Sequence, residues 1–287
     1  MKKFIALLAV GMALCLAAAG CAAPAAEAAE PAGEETPVEA APAEETAEQV
    51  ELIVFAAASL QETLTQIGEL YQAVAPNVTL IFSFDSSGTL KTQIQEGADC
   101  DLFISAAQKQ MNQLDAAADP EVNTEGLDFV EQGTRVDLLE NKVALVVPEG
   151  NPANINSFAD IANCESIALG NDDVPVGQYS IEILTNLGLL EGLESGSKIT
   201  YGSNVKEVTT QVSEGAVDCG IVYATDAFSA GLTIVDQATE DMCSQVIYPA
   251  AVLNISQHKE EAKAFLAYLQ GEEAAAVFES VGFAPVG

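Results

Sequence analysis

Short apolar runs and amphipathic helical segments alternate along residues 51–287, and this alternation limits the possible folds more than any other feature. The first apolar run, residues 51–56, is typical of a strand. It precedes apolar residues at helical spacing, introduced by Ser59 and Glu62 in the pattern of a helix capping box. A second strand is expected at residues 78–84. Such alternation predicts a mostly parallel sheet with helices on its faces.

The alternation starts again after residue 140, with a strand expected at residues 142–148. The globular part, about 237 residues, is long for one α/β domain and suits two. We therefore predict an α/β protein of two lobes, between which the chain crosses near residues 140 and 248. The predicted lobes are lobe I, residues 50–140 plus 249–287, and lobe II, residues 141–248. A cleft between two lobes is a common place for a ligand.

The first fifty residues differ in character from the rest. Lys2 and Lys3 precede an apolar run that is too short to span a membrane, which predicts a signal peptide over residues 1–20. Its end, AAGC, is similar to that of bacterial lipoprotein signals, so Cys21 is expected to carry the lipid; ordinary cleavage beside an incidental cysteine is the alternative. Residues 21–49, rich in Ala, Pro and Glu, predict a disordered tether. We expect an exported protein, lipid-anchored to the outer face of the cell membrane or periplasmic.

The chain is strongly acidic, with 43 acidic and 10 basic residues and a formal net charge of −33. Because 49% of the residues are hydrophobic, the acidity does not indicate general disorder. The few scattered basic residues argue against nucleic-acid binding, which needs patches of Lys and Arg. His258 is the only histidine, which disfavours histidine-based metal sites and Ser-His-Asp triads. We predict no cofactor and no metal ion bound directly by protein groups.

Four internal cysteines leave the disulfide question open. They are Cys100, Cys164, Cys219 and Cys243. Four cysteines allow three complete pairings, and their spacing does not choose among them. Export permits disulfides, whereas the position of two of these cysteines at the start of apolar runs favours buried thiols.

Four segments share a design that suits anion binding: an apolar strand, then small polar residues, then the start of a helix. They are residues 57–59, 85–89, 174–177 and 202–205. In parallel α/β sheets, ligands bind at the carboxyl edge of the strands. Helix N-termini at that edge offer N–H groups and a partial positive charge. Several of them together predict an oxyanion site that needs no Lys or Arg.

Several segments, in order along the globular part, resemble the bacterial molybdate-binding proteins, the extracytoplasmic substrate-binding subunits of molybdate ABC importers. They are VFAAASL at 54–60, SFDSSGTL at 83–90, GADCDLFIS at 97–105, VPVG at 174–177, GIVY at 220–223, YP at 248–249 and VGF at 281–283. The resemblance implies a type II periplasmic-binding-protein-like fold with the ligand in the interlobe cleft. It also implies a monomer that binds molybdate, and tungstate of similar size and charge, with high affinity and delivers it to an ABC permease in the membrane.

Carried over by position, the resemblance implies five oxyanion-binding residues. They are Ser59 and Ser87, through hydroxyl and backbone N–H groups; Val176 and Val205, through backbone N–H groups; and Tyr223, through its hydroxyl. Molybdate is a dianion whose oxygens only accept hydrogen bonds, so a cage of donors suits it. Selectivity over sulfate would come from the diameter of the cage.

Asp85 departs from what a dianion site needs. Its carboxylate either faces solvent, caps the following helix near Thr89, or accepts a hydrogen bond from a protonated oxyanion such as hydrogen phosphate. A binding protein for another tetrahedral oxyanion, sulfate or phosphate, is therefore the first alternative function.

An exported hydrolase or transferase with a serine nucleophile is the second alternative. Such a serine needs a nearby base. Lys91 follows Ser87 by four positions, whereas no lysine is close to Ser59 in the sequence. We predict no catalytic residues and a protein that is not an enzyme.

Overall fold

The structure, a computed structural model, describes residues 48–286. The predicted signal peptide, Cys21 and nearly all of the predicted tether lie outside the described residues. Within residues 48–286, no helix combines the length and the apolar character that crossing a membrane requires.

Two sheets organise the described residues, with strands numbered in chain order. The six-stranded sheet has the order β11-β4-β10-β3-β1-β2 and consists of β1 (Val50–Ala57), β2 (Val78–Asp85), β3 (Leu102–Ile104), β4 (Val136–Asn141), β10 (Val246–Val252) and β11 (Ala284–Pro285). The five-stranded sheet has the order β7-β6-β8-β5-β9 and consists of β5 (Val143–Val147), β6 (Ile167–Gly170), β7 (Ile199–Gly202), β8 (Cys219–Tyr223) and β9 (Thr233–Gln237). The chain passes from one sheet to the other between β4 and β5 and returns between β9 and β10.

Helices pack on both sheets and complete two lobes, which we call the six-stranded lobe and the five-stranded lobe. The six-stranded lobe has α1 (Gln61–Val74), α2 (Ser87–Gln95), α3 (Gln108–Asn112), α8 (Lys259–Leu269) and α9 (Glu272–Ser280). The five-stranded lobe has α4 (Pro175–Asn186), α5 (Leu190–Ser195), α6 (Val205–Ser213) and α7 (Ala224–Ser229). The predicted two-lobed α/β architecture is confirmed.

The sheets are mixed, which refines the prediction of mostly parallel strands. β1 pairs in parallel with β2 and β3, and β6 with β7 and β8. In contrast, β10 is antiparallel to β3 and β4, and β5 is antiparallel to β8 and β9. Three of these strands, β4, β5 and β10, adjoin the chain crossings, so their direction is set by the path between lobes and not by a strand-helix-strand unit.

Burial explains which strands the sequence pattern reveals. β5 (VALVV) is buried at all five positions, and its continuous apolar run is that of a strand covered on both faces. β4 (VDLLEN) is not predicted, because Asp137 and Glu140 interrupt its apolar residues. The helix expected at residues 157–163 is a 3-10 helix, Phe158–Asn163.

The four cysteines between residues 48 and 286 have free, buried thiols. Burial raises the pKa of Cys100, and it raises the pKa of Cys243 to about 11. These two thiols therefore stay protonated at neutral pH and behave as small core side chains.

Candidate oxyanion-binding site

A small cleft between the two lobes, about 190 Å³ including the part open to solvent, is lined by both of them. The six-stranded lobe contributes Ala57, Ala58, Ser59, Asp85, Ser86, Ser87 and Ala106, and the five-stranded lobe contributes Val174, Pro175, Val205 and Tyr223. Four of the five predicted ligand residues thus line one cleft, and the fifth, Val176, directly follows the lining residue Pro175. A larger depression along residues 237–246 contains none of them.

The carboxyl ends of parallel strands bring the first two segments together. Ala57, the last residue of β1, pairs with Asp85, the last residue of β2. Each strand then turns directly into helix, so Ser59 and Ser87 lie at neighbouring positions on one sheet edge. This is the edge at which open α/β sheets bind ligands.

Ser59 does not form the predicted capping box. It lies in a 3-10 turn, Ala58–Leu60, and α1 begins only after Leu60, without a side-chain cap. Its Oγ atom instead lies 3.0 Å from the hydroxyl of Tyr248, which is 189 residues away in the sequence. The serine is therefore held by tertiary contacts and not by its own helix.

Ser87 is the first residue of α2 and is fully buried. Its Oγ accepts a hydrogen bond from the backbone N–H of Ala106 at 2.9 Å, which leaves its own hydrogen available for a ligand. The N-cap is the preceding Ser86, whose Oγ accepts from the N–H of Thr89 at 3.1 Å.

Asp85 neither caps the helix at Thr89 nor stands free in solvent. Its Oδ1 accepts from the N–H of Ser86 at 2.7 Å and lies 3.5 Å from Nδ2 of Asn204 in the five-stranded lobe. The carboxylate is therefore partly buried at the cleft and held by neighbouring donors.

Two helix N-termini of the five-stranded lobe lie at the same cleft. In α6, Asn204 is the N-cap, its Oδ1 accepts from the N–H of Glu207 at 3.1 Å, and Val205 is the first residue of the helix. In α4, Pro175 has no N–H, so Val176 carries the first amide hydrogen of the helix. Amides in a first turn have no carbonyl partner within the helix, which leaves them for a ligand.

Gly177 allows α4 to start so close to the end of β6. A Cβ atom at this position would lie 2.4 Å from the carbonyl oxygen of Gly170 and 2.5 Å from that of Asn171. Both are backbone atoms, so the helix N-terminus would have to move. The glycine of the VPVG segment therefore sets the position of the Val176 amide.

Tyr223 ends β8 and is almost completely buried. Its hydroxyl donates to the carbonyl oxygen of Ala106, a long bond of 3.3 Å. Burial raises the pKa of Tyr223 well above its ordinary value, so the hydroxyl remains a donor at physiological pH. The backbone of Ala106 thus contacts Ser87 of its own lobe and Tyr223 of the opposite lobe.

The cation closest in sequence to the cleft is already paired. Lys206, next to Val205, lies 2.7 Å from a carboxylate oxygen of Glu62 in the six-stranded lobe and 3.2 Å from Oδ1 of Asp226. Neither oxygen of the buried Asp226 has a hydrogen bond of good geometry, although the Lys206 ammonium is within ion-pair distance. Burial outweighs the attraction of Lys206 and raises the pKa of Asp226 to about 6.

Direct contacts hold the lobes together around the cleft. The N–H of Gly88 donates to the carbonyl oxygen of Asp173 at 3.0 Å, and Lys206 pairs with Glu62. No group of three or more His, Cys, Asp or Glu side chains within residues 48–286 is arranged to hold a metal ion. The arrangement is a small interlobe cleft, partly open to solvent, with hydroxyl and backbone N–H groups in its lining.

The structure adds residues to which sequence reasoning assigned no role. Tyr248 contacts Ser59, and the side-chain amide of Asn141 donates to the hydroxyls of both Tyr248 and Thr225. In the sequence, only Tyr248 is part of a segment that resembles the family, the YP at 248–249, and that resemblance assigns no function to it.

A model of the family described as bacterial extracellular solute-binding protein matches residues 52–284. The putative ABC transporter substrate-binding lipoprotein YvgL of Bacillus subtilis is 38% identical over 237 residues, covering 82% of this chain and 86% of its own. The molybdate-binding protein ModA of Escherichia coli is 33% identical over 245 residues, covering 83% and 90%. The substrate-binding domain of a putative molybdenum ABC transporter from Clostridium difficile has 34% identity and a TM-score of 0.61, covering 83% of this chain and all of that domain.

These matches extend over almost the whole of the two lobes and confirm the resemblance to molybdate-binding proteins on which the site residues were assigned. Two of these relatives are named as substrate-binding parts of ABC transporters, and the third is named as a molybdate-binding protein. The chain belongs to the family of bacterial extracellular solute-binding proteins.

Proposed function

We propose that this protein binds molybdate in the interlobe cleft and delivers it to the membrane permease of an ABC importer. The observation that carries the proposal is the convergence of donors from both lobes. The six-stranded lobe supplies Ser59 and Ser87, and the five-stranded lobe supplies the first amides of α4 and α6 and the hydroxyl of Tyr223. Tungstate, with the same charge and a similar size, is expected to bind as well.

Neutral dipoles are the receptor for the anion in this proposal. Lys206 is already paired with two carboxylates, so its charge is compensated before any ligand binds. Hydroxyl and N–H groups in a cleft between two lobes bind an oxyanion more strongly than they would at an open surface, because the surrounding dielectric is lower than that of water. Delivery to the permease would then require the lobes to open.

The sequence predicts lobes of residues 50–140 plus 249–287 and residues 141–248. The strands on either side of each crossing lie in different sheets, which supports two crossings near these positions. Because β4 ends at Asn141 and β10 begins at Val246, we propose boundaries that follow these strand ends, with residues 246–248 in the six-stranded lobe. We further propose that the protein acts as a monomer and is anchored through a lipid on Cys21. The lipoprotein name of the Bacillus subtilis relative supports the anchor, and metabolic labelling of the mature chain with a radioactive fatty acid tests it.

We also propose that the protein has no catalytic activity. The partners of the two cleft serines support this, because the Ser59 hydroxyl faces that of Tyr248 and the Ser87 hydroxyl faces the N–H of Ala106. Neither partner is a base that would activate a serine nucleophile. Absence of turnover on a panel of esters is the expected result.

Calorimetric titration with molybdate, tungstate, sulfate and phosphate tests the proposed ligand. Molybdate and tungstate are expected to bind most tightly, with sulfate weaker because of its smaller size. Hydrogen phosphate needs an acceptor for its proton, and the two contacts of Asp85 at the cleft, to Ser86 and Asn204, engage only its Oδ1, so competition with phosphate tests this carboxylate directly. Phosphate displacing molybdate at equal concentration would contradict the proposal, and failure of all four anions would remove an oxyanion function altogether.

Replacing Tyr223 by phenylalanine is expected to weaken molybdate binding by about 1.5–3 kcal/mol, the usual loss of a hydrogen bond to a charged group. The ring packing against Tyr179 and Tyr248 is retained in this variant. Calorimetry on the variant measures the loss. An unchanged affinity would mean that Tyr223 keeps its bond to Ala106 and does not donate to the ligand.

A further inference from the structure

A buried chain of polar side chains leads from the crossing between the lobes to Ser59. Asn141 ends β4, Tyr248 lies in β10, and both are buried together with Ser59 and Thr225. Nδ2 of Asn141 lies 2.9 Å from Oγ1 of Thr225 and 3.2 Å from the Tyr248 hydroxyl, which in turn lies 3.0 Å from Oγ of Ser59.

The backbone determines the direction of the first bond. The N–H of Lys142 can only donate, and it donates to the side chain of Asn141 at 2.8 Å. The atom that receives this bond must be the carbonyl Oδ1, so the other end of the amide is the NH₂ group. Asn141 therefore donates to both Thr225 and Tyr248, and its orientation does not rest on an arbitrary choice between nitrogen and oxygen.

The next bond in the chain has two possible directions. The oxygen of Tyr248 accepts from Asn141 and lies beside Oγ of Ser59, and either hydroxyl of that pair is able to donate to the other. In one of the two arrangements, Tyr248 donates its hydrogen to Ser59. Burial raises the pKa of Tyr248 well above its ordinary value, so this hydrogen is present at physiological pH. In the arrangement in which Tyr248 donates, Oγ of Ser59 is the acceptor and its own hydrogen is left to point elsewhere, and the space beside it is the cleft.

We propose that Asn141 and Tyr248 are positioning residues that make Ser59 a hydrogen-bond donor toward the oxyanion. This inference rests on the proposed function and adds to it the source of Ser59's orientation. Consecutive donors also polarise one another, so the Ser59 hydroxyl is a stronger donor at the end of this chain than it would be alone. An anion whose oxygens only accept benefits fully from such a donor.

A double-mutant cycle on the full-length protein tests the inference, with Tyr248→Phe and Ser59→Ala singly and combined. Tyr248→Phe keeps the ring contacts with Tyr223 and Phe283 and removes only the hydroxyl. We expect it to weaken molybdate binding roughly ten-fold in the presence of Ser59, and less than about two-fold when Ser59 is alanine. Tyr71→Phe is the matched control, because Tyr71 is also a buried aromatic residue of the six-stranded lobe but lies outside the cleft.

The cycle separates positioning from a general structural effect. Equal losses of molybdate affinity with and without Ser59 would overturn the inference, since they would show that the Tyr248 hydroxyl acts through the fold. An unchanged affinity of the single Tyr248→Phe variant would overturn it as well. If Tyr248→Phe does not fold, Asn141→Ala carries the same test, with a loss expected only when Ser59 is present. Failure of the unmodified protein to bind molybdate would instead contradict the proposed function, which distinguishes the two.

Discussion

Replacing Gly88 by alanine is expected to weaken molybdate binding by about 2–3 kcal/mol, which raises Kd by roughly one and a half to two orders of magnitude. Gly88 lies in the first turn of α2, and a Cβ atom there would lie 2.4 Å from the carbonyl oxygen of Asp173 in the opposite lobe. The clashing atom belongs to the backbone, so no side-chain rotation relieves it. The lobes would therefore have to remain further apart, and the donors of the two lobes could not contact one anion together.

The same substitution is expected to leave the ligand-free protein at least as stable as before. Alanine favours a helix more than glycine does, and the clash involves the other lobe and not the packing of α2 on its own sheet. Calorimetry measures the affinity, and thermal unfolding without ligand measures the stability. Gly192→Ala is the matched control, because Gly192 also lies in a helix but a Cβ atom there contacts nothing. Undiminished binding by the Gly88 variant would show that closure of α2 on Asp173 is not needed for the complex.

Replacing Asp226 by asparagine is expected to change how stability depends on pH. Burial raises the pKa of Asp226 to about 6, above its ordinary value of 3.8. The folded state therefore holds this proton more tightly than the unfolded state does. The stability that comes from this difference is complete below about pH 4 and is lost as the pH rises through 6.

The expected size of this loss is about 2 kcal/mol between pH 4 and pH 7, taken as the difference in unfolding free energy between the wild type and Asp226→Asn. Urea unfolding of both proteins across this range measures it. The unfolding free energy of Asp226→Asn should therefore increase relative to that of the wild type as the pH rises. Asp241→Asn is a control with the opposite pH dependence of stability, because a hydrogen bond from Thr239 lowers the pKa of the exposed Asp241. A difference that does not vary with pH would mean that Asp226 titrates normally and that Lys206 compensates its burial.

The two cleft serines illustrate what local sequence patterns can and cannot predict. Ser87 begins a helix after a strand, as the sequence indicates, because strand, turn and helix start are all encoded within a few residues. Ser59 matches a capping box equally well, yet its hydroxyl bonds to Tyr248. A local pattern contains no information about a partner 189 residues away. The sequence therefore could not show whether the Ser59 hydroxyl would cap its own helix or bond to the distant tyrosine.

The crossings between lobes illustrate the same limit at the level of strands. The apolar run of β5 reveals a strand, whereas the charged residues of β4 hide one. The sequence could not reveal the direction of either strand, because parallel and antiparallel pairing place the same side chains on the same faces. Only the path of the chain between the two sheets decides that direction.

By itself, the sequence determined the alternation of strands and helices, the division into two lobes and the set of strand-to-helix junctions that present donors. These are consequences of short-range periodicity and of small residues at particular turns. Only the tertiary structure decided which junctions meet, that the charge of Lys206 is compensated by carboxylates of both lobes, and that Asn141, Tyr248 and Ser59 lie one after another within hydrogen-bond distance along one chain. The reason is physical: the direction of a hydroxyl and the charge available in a cleft depend on partners that come together only when both lobes have folded and closed.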